Sequence, residues 1–206
     1  MKAQILKLLW LKQLYGKSAC GECYTDSIQT ASIKPPIDNN LERMIENCSL
    51  CNRIKHSPKP SIGILNTNAP LCFVSEVPLI DEKGQFVQNK SAIMLENIIK
   101  RVFNLSPSQV SILSLVKCGG SPAESSEILS CMDFCLLQLQ KANPKVCILL
   151  GNRVCEHILG QHLEGGRILW HNNRKFLVTY SLNELVRNPS LKAQAHNHFL
   201  GAKGQL

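Results

Sequence analysis

The sequence has no apolar run approaching the ~18 residues that cross a bilayer, although 44% of its 206 residues are hydrophobic. It has no internal repeat and no low-complexity tract, so neither a repeat array nor a biased linker is expected. It also lacks an uninterrupted apolar stretch at its start. Met1 to Tyr15 carries Ile5, Leu8, Leu9, Trp10, Leu11 and Leu14, but Lys7 and Lys12 break the run. A secretory signal needs roughly 7–15 consecutive apolar residues, so this segment reads as an amphipathic helix. The expectation is a cytoplasmic protein with no membrane association, in which the sequons at Asn47-Cys48-Ser49 and Asn104-Leu105-Ser106 have no role. Acidic residues are few: 15 Asp and Glu against 23 Lys and Arg leave a net charge of +8. A basic balance favours a polyanionic partner, because neutralised phosphates release condensed counterions.

What the chain does have is cysteine, ten of them. In a chain of this length read as cytoplasmic, they point to metal or to buried thiols rather than to a disulfide scaffold. Cys48 and Cys51 form a C-x-x-C pair able to place two thiolates on one centre, and Cys20 and Cys23 form another. Two such pairs suggest structural zinc, although their separation exceeds the usual ~15–20 residues. An alternative draws the remaining ligands from Cys118 and Cys131 further along. Cys72, Cys147 and Cys155 fall within apolar strands or a helix, where a free cysteine behaves as a small hydrophobe. Spacing alone leaves zinc, iron–sulfur and no metal all open.

The length suits one sizeable α/β domain. Residues 1–40 read as an extension, an N-terminal helix followed by a linker that ends at Pro35-Pro36. The globular domain is expected over 41–206. Four apolar runs read as strands: Leu71 to Val74, Val110 to Val116, Val146 to Leu150, and Phe176 to Tyr180. Helices are expected over 91–104, from a capping box at Ser121-Pro122-Ala123-Glu124 to Asn143-Pro144, from Gly151 to Gly160, and after Pro189. Strands alternating with helices predict a three-layer α/β/α sandwich around a mainly parallel, four-stranded sheet. Ligands of such folds bind beyond the carboxyl ends of the strands. That draws attention to Ser75 to Leu79, Ser114 to Gly120, Gly151 to Arg153, and Ser181 to Asn183.

From about Leu41 to Phe199 the chain resembles the family 4 uracil-DNA glycosylases, the type that carries a 4Fe–4S cluster. The family's Cys-x-x-Cys matches Asn47-Cys48-Ser49-Leu50-Cys51. Its strand running into Gly-Glu-Ala-Pro-Gly resembles Phe73-Val74-Ser75-Glu76-Val77-Pro78-Leu79, and its acidic-glycine-phenylalanine stretch resembles Asp81 to Val87. Val-Lys-Cys matches Val116-Lys117-Cys118, and the helix opening Glu-x-x-x-Cys matches Glu127 to Cys131. Gln138, Pro144, the strand ending Leu150-Gly151, the motif Thr179-Tyr180-Ser181-Leu182, and Arg187-Asn188-Pro189 with Lys192 follow in the family's order.

The resemblance implies base-excision repair: hydrolysis of the N-glycosidic bond of uracil or another damaged base in single- or double-stranded DNA, by a monomer. It implies a 4Fe–4S cluster on Cys48, Cys51, Cys118 and Cys131, with Cys20 and Cys23 outside the match. Glu76 would position the attacking water and Phe86 would stack on the flipped base. Lys117, Arg187, Asn188 and Lys192 would contact DNA. Several positions depart from the pattern. Ser75 and Leu79 replace glycines, Ser114 replaces the base-reading asparagine, and Ser181 and Leu182 replace the final His-Pro. A hydroxyl cannot reproduce the paired contacts of an amide, and losing one donor to the developing charge costs about 10²–10³ in rate. No histidine compensates, because His171, His196 and His198 read as surface residues. Two readings stand: an altered glycosylase, with Ser75, Ser114 and Ser181 lining its pocket, or a catalytically inactive 4Fe–4S homologue that binds DNA.

Overall fold

Each long apolar run becomes a strand whose alternate residues enter two different cores. The computed structural model describes residues 40–57 and 59–206. The readings of the first helix, of the linker and of Cys20 and Cys23 fall outside these residues. In β1 (Leu71–Ser75), Leu71 and Phe73 enter one core while Cys72 and Val74 enter the other. β2 is Ser111–Ser114 and β3 is Val146–Leu150. Val146, Ile148 and Leu150 of β3 face the first core; Cys147 and Leu149 face the second. This two-sided burial is why the runs are continuous rather than alternating.

Among the described residues the sheet has five strands in the order β2-β1-β3-β5-β4, where β4 is Ile168–His171 and β5 is Arg174–Thr179. β2, β1, β3 and β5 pair in parallel, and β4 adds an antiparallel edge. The expectation of four strands is therefore corrected to five. β4 escapes sequence reading because it is short and mostly exposed, with no buried face to give it a pattern. Its one signal is the hairpin turn Asn172-Asn173, whose φ angles of 47° and 62° suit the tight turn favoured between twisted strands.

Among the described residues, six α-helices flank the sheet: α1 (Asn40–Glu46), α2 (Lys90–Ile98), α3 (Ser125–Ala142), α4 (Asn152–Leu159), α5 (Leu182–Arg187) and α6 (Leu191–Lys203). Leu95 of α2, Leu185 of α5 and Phe199 of α6 belong to the first core. Ile45 of α1, Ile128 and Phe134 of α3, and Val154 of α4 belong to the second. Layers on both faces follow from the right-handed crossovers that parallel strands require. No helix among the described residues is long and apolar enough to cross a membrane.

Three helical boundaries differ from expectation. The segment read as one helix over 91–104 is α2 followed by a π turn, Ile99–Phe103, closed by Asn104 at φ 56°. α3 starts at Ser125 instead of near Ser121, and the Glu127 carboxylate accepts the Glu124 N–H at 2.9 Å. The segment Ser121 to Glu124 crosses the end of the sheet before the helix begins. The region after the last strand carries the extra short helix α5, capped by Ser181.

Candidate functional site

β1 stops at Ser75, yet its ladder with the chain after β2 runs on to Glu76. The Leu115 N–H donates to the Ser75 carbonyl at 2.9 Å and the Val116 N–H to the Glu76 carbonyl at 3.1 Å. The Glu76 side chain is thus launched from a fixed backbone at the carboxyl end of a central strand. Its Oε1 accepts two hydrogen bonds, from the Ala123 N–H and from Arg153 Nη1, both at 2.8 Å. Ala123 lies in the crossing segment before α3, and Arg153 in the first turn of α4. A helix N-terminus disfavours a cation, so the placement of Arg153 is accounted for by Glu76. The pair is partly exposed, 23% for Glu76 and 37% for Arg153. Exposed pairs contribute only about 0.2–1 kcal/mol, so this one fixes an orientation more than it stabilises the fold.

Glu76 borders a cavity of about 180 Å³ that also meets Ser75, Leu79, Asn89, Ser91 and Ser181. The carboxyl-end crevice anticipated from the fold class is therefore present, and three of the expected site residues, Ser75, Glu76 and Ser181, share it. The Ser75 hydroxyl is committed, donating to the Val77 carbonyl at 2.7 Å. Ser181 is committed as well. Its Oγ donates to Glu184 Oε2 at 2.8 Å and accepts the Glu184 N–H at 3.2 Å, while its own N–H donates to the same carboxylate at 2.7 Å. This reciprocal capping box opens α5. Across the cavity, the Ser91 hydroxyl donates to Asn183 Oδ1 at 2.7 Å, linking α2 to α5.

Gly151 makes the close approach of these loops possible. Its φ is 110°, and a Cβ there would sit 3.0 Å from Ser181 Cβ. Only glycine readily takes this backbone conformation.

Phe86 is brought near but not into the same cavity. It lines a neighbouring space of about 380 Å³, which shares Val77, Asn89 and Gly120 with the first. Ser114 is buried and lines neither. Arg187, the last residue of α5, and Asn188, which follows it, are exposed, and Asn188 Oδ1 accepts the Ser190 hydroxyl at 2.6 Å. Lys192 is exposed at the start of α6, on a separate groove.

The expected DNA contact of Lys117 is overturned. The residue has no exposed surface, and its ammonium donates to the Ser114 carbonyl at 2.6 Å and to Gln138 Oε1 at 2.5 Å. Gln138 in turn donates to the Ile62 carbonyl at 2.7 Å. Burial lowers the Lys117 pKa, with the neighbouring Cys135, Cys131 and Cys72 acting in the opposite direction. A buried ion costs several kcal/mol unless its donors are satisfied, and this chain of acceptors serves that need. His198 is also misread by sequence. Its Nδ1 lies 3.0 Å from Thr179 Oγ1, its ring stacks on Tyr180, and burial lowers its pKa.

Cys48 and Cys51 are half-buried, and Cys118 and Cys131 buried. All four border one small cavity of about 10 Å³. Arg53 ties this corner together: its Nε donates to the Cys118 carbonyl at 2.9 Å, its Nη1 to Glu127 at 2.9 Å, and its Nη2 to the Ser121 carbonyl. The Lys117 N–H donates to Cys131 Sγ at 3.3 Å. Burial above all, with the charges of the other cysteines in the group acting in the same direction, pushes the Cys118 and Cys131 thiols up to about 11. As a donor set, four thiols from three chain segments suit a soft metal centre. Among the described residues, no group of three or more Cys, His, Asp or Glu forms a site that could hold a metal ion.

Sequence reasoning left Arg153 without a role and passed over Asn89 and Ser91. The only signal for Arg153 was its place just after β3, at an end where a helix gains nothing from a cation.

The model of the uracil DNA glycosylase superfamily matches residues 62–200, more than half of the chain. No curated protein matches the sequence.

Proposed function

Because the chain belongs to the uracil DNA glycosylase superfamily, we propose that it hydrolyses the N-glycosidic bond of uracil or another damaged base in DNA, as a divergent iron–sulfur member. The observation that carries this reading is Glu76, oriented by Arg153 and the Ala123 N–H at the mouth of the carboxyl-end crevice. The target nucleotide must leave the stack, at a cost of about a few kcal/mol, and its base enters beside Phe86. As the bond from C1′ to the base nitrogen breaks, its electron pair leaves with the base and positive charge grows on the sugar. The Glu76 carboxylate stabilises that charge and holds the water that adds to C1′. The water proton passes to Glu76 and the departing base is protonated from solvent.

The same reading assigns a 4Fe–4S cluster to Cys48, Cys51, Cys118 and Cys131, supported by their convergence on one cavity. Bound there, the cluster would act as a structural staple between the segment after α1, the segment after β2 and the helix α3. Ser114 and Ser181 stand where stronger donors are expected from the resemblance, Ser75 stands where a glycine is expected, and Arg187, Asn188 and Lys192 are its candidate phosphate contacts.

One observation favours a second reading, a DNA-binding homologue without catalysis. The hydroxyls of Ser75 and Ser181 both donate to protein acceptors, leaving no free donor of their own for a departing base. The deciding experiment is base release from a uracil-containing single-stranded oligonucleotide, with Glu76→Gln as control. Release that vanishes in the control supports the glycosylase. Strand binding without release, even at high protein concentration, supports the homologue.

A further inference from the structure

A second surface feature lies away from the crevice. α2 and its π turn form one wall of an open groove of about 590 Å³, and α6 forms the other. Ile93, Met94, Ile98 and Val102 follow one another at helical spacing along the first wall, and Ile93 is 48% exposed. Leu185 and Phe199, both buried, close the floor. The cations Lys90, Arg101 and Lys192 rim it, and no carboxylate lines it. None of the three forms an ion pair within 4.0 Å among the described residues.

The dimensions select the occupant. Lys90 and Arg101 stand eleven residues apart on nearly continuous helix, so the wall is about 16 Å long, three helical turns. An aliphatic trough of that length between two helices is the receptor half of helix-in-groove recognition, in which the partner inserts residues at i, i+3, i+4 and i+7. A rim carrying positive charge at both ends of one wall and on the other favours carboxylates flanking those anchors. Nucleic acid is a poorer match. A strand needs ring faces for its bases to stack on, whereas the Phe199 ring is buried and, His196 aside, these walls are aliphatic.

We propose that the groove between α2 and α6 binds an acidic amphipathic helix of a partner protein, with Ile93 and Met94 contacting its apolar face and Lys90, Arg101 and Lys192 its carboxylates. Lys192, a DNA contact by resemblance, is thereby assigned to protein recognition.

The test uses the full chain and three fluorescein-labelled probes: an amphipathic peptide of about three to four turns with Leu on one face and Glu on the other, a scrambled peptide of equal composition, and a single-stranded oligonucleotide. Anisotropy should rise saturably with the amphipathic peptide and not with the scrambled one, and binding of the oligonucleotide, which the proposed function places at the crevice, should be unchanged by substitutions in the groove. Ile93→Glu should weaken that binding at least tenfold, and Arg101→Glu should weaken it and reduce its salt dependence. Both positions are exposed, and an unchanged thermal midpoint shows that the variants fold. Equal binding of the scrambled peptide, or binding indifferent to Ile93→Glu, overturns the proposal. So does a groove variant that loses the oligonucleotide and keeps the peptide. A wild-type dimer that Ile93→Glu converts to monomer would identify a second copy as the occupant and overturn it equally.

Discussion

Glu76 is held by two donors of different kinds, a backbone N–H that no substitution of Ala123 other than proline removes and a side chain that mutation can. Arg153→Gln therefore isolates the orienting contribution. If Glu76 positions water, base release should fall about tenfold in this variant, with substrate binding unchanged, the pattern of an interaction made mainly in the transition state. Arg153→Lys should recover part of the loss. A single-turnover assay reads both. His198 gives a prediction of another kind. Its folded pKa is lowered by burial, so the unfolded chain binds the proton more readily. Stability is then fully present above the unfolded value of about 6.5 and declines as pH falls through it. Urea midpoints measured from pH 8 to pH 5 should show this decline, and His198→Gln should flatten it.

At the scale of elements, the turn from β3 into α4 is the most demanding connection in the crevice. Gly151→Ala places a Cβ at φ 110° and 3.0 Å from Ser181, in a region that costs non-glycine residues about 1–3 kcal/mol. Denaturant unfolding should register that loss, accompanied by displacement of the Ser181 cap. Elements with a repeating burial pattern were legible in the sequence: β1, β3 and α3 announce themselves because every residue, or every third and fourth, has an apolar neighbour to meet. β4 was not legible, since exposed strands carry no such pattern. The true start of α3 was hidden because Ser121-Pro122 fits a cap as well as Glu124 does. Within the site, Glu76 was reached through motif order and its place after a central strand. Arg153 was not reached, since a cation in a first turn looks in sequence like any solvated one. Lys117 was misassigned for the same reason: charge is visible in a sequence, and the acceptors that bury it are not.

For the whole molecule, the proposed cluster and the net charge make separable predictions. Cys118→Ala should abolish the broad absorbance near ~400 nm expected of an anaerobically purified iron–sulfur protein and lower the thermal midpoint, because it unpins three segments at once. Colourless wild-type protein would remove the cluster from the proposal. The charge of +8 predicts strand binding that weakens steeply with salt. If Arg187 contacts a phosphate, Arg187→Ala should reduce the slope of log affinity against log salt by about 0.7 on single strands.

The π turn that ends α2 governs more than that helix's length. Phe103 sits at its last position and meets Phe73 of the sheet edge-on at 5.6 Å and Phe199 of α6 at 6.3 Å. Each residue of a regular helix advances the side chain by about 100°. The wide turn therefore acts as a phase adjuster: with one residue fewer, the helix would close regularly and carry Phe103 out of register with both rings. A three-ring relay from β1 to the last helix thus depends on a single surplus residue in the backbone between them.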